Sequence, residues 1–105
     1  MKRNLIRYKA KPEAADDNAK LVSAVFAELK AASPDGVRYL SLRLDDDSFV
    51  HFVETEDDAS NTLTGVAAFK AFQSGIRERC AEPPVVKSVT IVGNYRMLEE
   101  HQEAG

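Results

Sequence analysis

A single α+β domain with its elements in the order β-α-β-β-α-β is the fold this sequence predicts, on three patterns. Two windows carry apolar residues at helical spacing, four others alternate with the period of two that marks a strand, and turn-forming residues fall between them. With 105 residues, 44% of them hydrophobic, the chain has material for one compact core and not for two. The expected domain is 1–105, with its core at about 5–95 and a polar tail at 96–105.

The first strand is "NLIRYKA", which sets Ile6, Tyr8 and Ala10 on one side and Leu5, Arg7 and Lys9 on the other. After Pro12, "EAADDNAKLVSAVFAELKAA" spaces Val22, Val25, Phe26 and Leu29 by threes and fours, with acids early and Lys30 late, as a helix dipole prefers. "SPDG", Ser33 to Gly36, is a turn that releases the chain into a second strand, "VRYLSLRL". Asp45 to Ser48 is then read as a four-residue hairpin loop on a type I turn, and "FVHFVET" as the third strand. From roughly Asn61 the period lengthens again, with Val66, Phe69, Phe72, Ile76 and Cys80 along one stripe of a second helix. "EPP" is read as its stop and "VVKSVTIVGNY" as the fourth strand. This is the split βαβ order of ferredoxin-like folds, and right-handed crossovers place both helices on one face of a four-stranded antiparallel sheet.

Pairing Leu44 with Phe49 assigns the faces. Leu40, Leu42, Phe49, His51 and Val53 then lie under the helices, with Ile6, Tyr8, Val89 and Ile91. The other face carries Leu5, Arg7, Lys9, Tyr39, Ser41, Arg43, Val50, Phe52, Glu54, Val86 and Val92, a mixture of aromatic, aliphatic and Arg residues suited to an interface. A homodimer packed sheet to sheet is the expected cover, through Arg7, Lys9, Tyr39, Arg43, Val50, Phe52 and Glu54. A solvated face with scattered apolar residues is the plainer reading.

Several functions are disfavoured. The net charge is -3, so there is no overall positive field for a nucleic acid, and "SFVHFVE" lacks the Gly and basic residues of an RNA-recognition strand. The lone Cys80 suits a reducing cytoplasm, and no apolar run reaches membrane-spanning length. Cys80 falls at the end of the second helix, where the dipole disfavours a thiolate nucleophile. Asp45, Asp46 and Asp47 lack a calcium loop's spacing and read as a solvated hairpin tip, and His101 falls in the polar tail, so no metal is implied.

The element order, the "PDG" before the second strand, the "VHFVETED" strand with its acidic exit and the "EPPVVKSVTIVGNY" finish resemble the dimeric α/β-barrel superfamily, and within it proteins like the antibiotic biosynthesis monooxygenases. The likeness covers Leu5 to about Tyr95. It implies a dimer with a shared barrel and a small-molecule cleft between sheet and helices in each subunit. Some members oxidise aromatic polyketides without metal or flavin, so no cofactor is expected. In quinone-forming members the third strand carries what looks like an Asn, then a Trp four residues on. His51 and Thr55 hold those places here, and the chain has no Trp.

His51 is therefore the candidate catalytic residue, able to polarise a carbonyl or phenol oxygen or take a proton from an acidic carbon. Read without a ligand, it is a core histidine satisfied by a neighbour such as Tyr8. Tyr8, Phe49, Thr55, Asn61, Phe69 and Phe72 are the candidate substrate-binding residues. Tyr8 is a donor or packing, the three Phe are cavity wall or core, and Asn61 points into the cleft mouth or caps the second helix. Two functions follow: a cofactor-independent monooxygenase-like enzyme acting on a small aromatic or polyketide-like molecule, or a non-catalytic dimeric small-molecule-binding or stress-response module of the same fold.

Overall fold

A computed structural model describes residues 1–56 and 63–97. The predicted order holds: β1 (Lys2–Ala10), α1 (Ala15–Ala32), β2 (Val37–Arg43), β3 (Ser48–Thr55), a 3₁₀ turn at Leu63–Gly65, α2 (Ala67–Gln73), α3 (Ile76–Arg79) and β4 (Cys80–Ser88). The strands form one antiparallel sheet in the order β2-β3-β1-β4. The helices cover the face that carries Tyr8, Phe49 and His51, and the core lies between, built on Tyr8, Val22, Val25, Phe49, Leu63 and Phe72. No helix among the described residues is long and apolar enough to cross a membrane.

Local chemistry explains the helix ends. Asp16 and Asp17 sit in the first turn of α1 and Lys30 in its last, and Ser33 closes it in the left-handed region, φ 48°, with its N–H on the Leu29 carbonyl. The free amides at the start of α2 are met from α1: Ala67 and Ala68 N–H donate to the Glu28 carboxylate at 3.2 and 3.0 Å. The second helix is not continuous. Gly75, φ 78°, breaks it into α2 and α3, and Arg79 folds back to donate to the Ser74 and Phe72 carbonyls at the broken end.

Two strand assignments are corrected. The β2–β3 loop has three residues, not four: Leu44 N–H bonds to Ser48 O at 2.8 Å and Asp47 takes the left-handed conformation, φ 66°. Phe49 therefore pairs with Arg43 rather than Leu44, and a one-residue slip reverses every side chain of β2. Tyr39, Ser41 and Arg43 lie on the helix side, while Leu40 and Leu42, expected in the core, are exposed on the open face. β4 also starts earlier, at Cys80, and runs through Pro83 and Pro84 instead of following them. An edge strand tolerates proline because one row of its amides needs no partner. With Val86 opposite Ile6, Val86 joins the helix face and Val85 the open one, while Val89, Ile91 and Val92 lie beyond the strand.

Candidate functional site

Between the sheet and α2–α3 is a cavity of about 500 Å³. Ile6, Val53, Leu63, Phe69, Phe72, Ile76 and Val86 supply apolar walls, and Lys2, Asn4 and Thr55 supply polar groups where β1 begins and β3 ends. The remaining polar groups come from Gln73 at the end of α2 and from Tyr8, His51 and Tyr39 on three adjacent strands.

Those three side chains form one connected unit. Tyr8 Oη shares a hydrogen bond with His51 Nε2 at 2.9 Å, and Tyr39 Oη shares one with Nδ1 at 2.7 Å. Strand register puts them there, since Tyr8 and Tyr39 each stand diagonally from His51 on a neighbouring strand. Asn18 of α1 donates from Nδ2 to Tyr8 Oη at 2.8 Å, and Arg79 Nε donates to Asn18 Oδ1 at 3.0 Å. The Tyr8 and Phe72 rings flank the imidazole, with centroids 5.4 and 5.5 Å away.

Burial sets the electrostatics. His51 is 2% exposed, and loss of water pushes its pKa down to about 4, so the imidazole is neutral near pH 7. Desolvation raises the Tyr8 phenol to about 12, against the opposing Asn18 hydrogen bond, and raises Tyr39 as well. The unit is an uncharged set of donors and acceptors. Cys80 is buried and unpaired, with desolvation raising its thiol pKa. Among the described residues no three His, Cys, Asp or Glu side chains gather as a metal set would.

Of the residues singled out from sequence, Tyr8, His51, Thr55, Phe69 and Phe72 line the cavity. Phe49 does not: it is stacked behind Tyr8 at 5.5 Å, under the Arg43 guanidinium, and serves the core. Asn61 and His101 lie outside the described residues. Sequence reasoning missed Tyr39, through the β2 slip, and Asn18 and Arg79. Asn18 left a signal, because it falls one turn before Val22 on the stripe that continues through Val25 and Leu29.

No protein-family model matches the chain, and no curated protein does. Solved structures do match in fold. A candidate antibiotic biosynthesis monooxygenase of Caulobacter crescentus CB15 is similar with a TM-score of 0.70 and 22% identity, over 87% of this chain and 89% of that one. One of Nitrosomonas europaea gives 0.72 and 12%, over 89% and 100%. One of Bacteriodes thetaiotaomicron gives 0.76 and 10%, over 93% and 95%. At these identities the likeness is one of fold.

Proposed function

We propose that this chain is a cofactor-independent monooxygenase-like enzyme acting on a small aromatic or polyketide-like molecule held between the sheet and the helices. The observation that carries the reading is the cavity itself, with apolar walls and a neutral Tyr8–His51–Tyr39 unit among them. A flat apolar ring fits such walls, and the unit would polarise a phenol or enol oxygen on it. In the proposed reaction the substrate supplies the electrons: one atom of O₂ becomes the new carbonyl oxygen and the other leaves as water. Oxygen uptake with anthrone, whose ring CH₂ would become a carbonyl, tests this. The wild type should outpace the protein-free rate, and His51→Ala should lose about a hundredfold of that gain. Equal rates with and without protein sink the reading.

One observation favours the second reading. Both nitrogens of His51 already have protein partners, so the ring is satisfied without a ligand. A non-catalytic dimeric module that binds a small molecule, or serves a stress response, would then bind anthrone without consuming oxygen. Under either reading we propose a homodimer in the cytoplasm, joined through the open sheet face. That face carries Arg7, Lys9, Val50, Phe52 and Glu54, as the sequence suggested, with Leu40, Leu42 and Val85 in the places given to Tyr39 and Arg43. Leu40, Leu42 and Val85 are 44, 51 and 51% exposed, which is apolar surface that a second copy would cover.

A further inference from the structure

We infer that Arg79, Asn18, Tyr8, His51 and Tyr39 form a one-way hydrogen-bond chain whose last member, the Tyr39 hydroxyl, offers its proton to an acceptor oxygen of an aromatic ligand in the cavity. The direction follows from donor and acceptor inventory, starting at the one group whose role is fixed. A guanidinium only donates, so the Asn18 atom 3.0 Å from Arg79 Nε is Oδ1, and Nδ2 is turned to Tyr8. Tyr8 Oη accepts from Nδ2 and must place its own proton elsewhere. Among the described residues its other partner is His51 Nε2, and at 2% exposure the residue has little water to turn to. Tyr8 therefore donates to Nε2.

A neutral imidazole with an acceptor at Nε2 carries its proton on Nδ1. Nδ1–H then donates to Tyr39 Oη at 2.7 Å. The Tyr39 proton is left over, since no other acceptor among the described residues meets that hydroxyl, and Tyr39 lines the cavity. In this arrangement Tyr39 is the group that touches the ligand, while His51, Tyr8, Asn18 and Arg79 act through it as positioning residues. The ligand class is an aromatic ketone or phenolate, oxygen toward Tyr39 and ring against the apolar walls. The inference rests on the cavity proposed above as the binding site, and not on turnover.

Asn18→Asp tests the direction, because a carboxylate cannot donate. Asp at 18 would accept from both Arg79 and Tyr8, so Tyr8 would accept from His51 Nε2–H and Tyr39 would donate to Nδ1. Nitrogen-15 spectra of the full chain read the tautomer directly: Nδ1–H is expected in the wild type and Nε2–H in Asn18→Asp. Binding of 2-acetylnaphthalene, which can only accept, is compared with binding of naphthalene. The wild type should favour the ketone by about tenfold, and Tyr39→Phe and Asn18→Asp should both abolish that preference. Nε2–H in the wild type overturns the inference, as does a ketone preference that survives Tyr39→Phe. The tautomer and Tyr39→Phe measurements stand if Asn18→Asp fails to fold, and both remain decisive if no oxygen uptake is ever found.

Discussion

His51 loses water on folding and gains only neutral partners, so its contribution to stability depends on pH with a definite sign. Its pKa is depressed from 6.5 in the unfolded chain to about 4 in the folded one. The unfolded state takes up the proton first. Stability from this residue is therefore fully present above pH 6.5 and declines as pH falls to 4, by on the order of 3 kcal/mol at most. Urea unfolding between pH 7 and pH 4 should show this slope in the wild type, and His51→Gln, which cannot titrate, should flatten it. An unchanged slope in the variant would mean that other groups set the acid sensitivity. The histidine was legible in the sequence as the ionisable side chain of an apolar wall. Its second tyrosine was not, because that partner lies on the strand whose facing was misread.

The placement of α1 was legible because periodicity of 3.6 persists over its 18 residues. The second helical stripe, expected to run on to Cys80, is instead broken at Gly75 and gives way to β4 at Cys80, and strand facing rested on the length of one loop. In "VRYLSLRL" both alternate sets contain large apolar side chains, so burial pattern alone does not choose between Leu40, Leu42 and Tyr39, Ser41. The three-residue loop decides, through an aspartate in the left-handed region, a conformation that Asp tolerates better than most residues. Pro83 and Pro84 misled for a related reason: they read as the end of a helix, and the edge position that admits them to a strand is a property of the whole sheet. The break at Gly75 is also an element-scale device, since it lets Arg79 reach both the end of α2 and Asn18. Gly75→Ala should cost about 1 to 2 kcal/mol from the positive φ alone, because a Cβ there would meet side-chain atoms only at 3.5 and 3.6 Å. Gly65→Ala, with nothing within 4 Å of the added atom, is the control and should be close to neutral. Thermal or urea melts of the two variants separate these outcomes.

At the scale of the whole molecule, the proposed homodimer would form through the open face of the sheet. Leu42→Glu, made on that face away from the cavity, should shift sedimentation of a dimer to that of a monomer while leaving the circular dichroism of the fold intact. Sedimentation unchanged by the variant would place any association elsewhere. The same face holds Glu54, 3% exposed, with Arg3 at 2.6 Å and Arg38 at 3.8 Å. That carboxylate is answered within its own subunit, so it is not left over to pair across a seam. Around it the face presents Arg7, Lys9 and Lys87, so cations outnumber the carboxylates Glu54 and Glu82. Two identical patches of net positive charge repel when a twofold axis brings them together. Added electrolyte would mute that repulsion more than it weakens any attraction, so subunits of this kind should associate more tightly in brine than in dilute buffer.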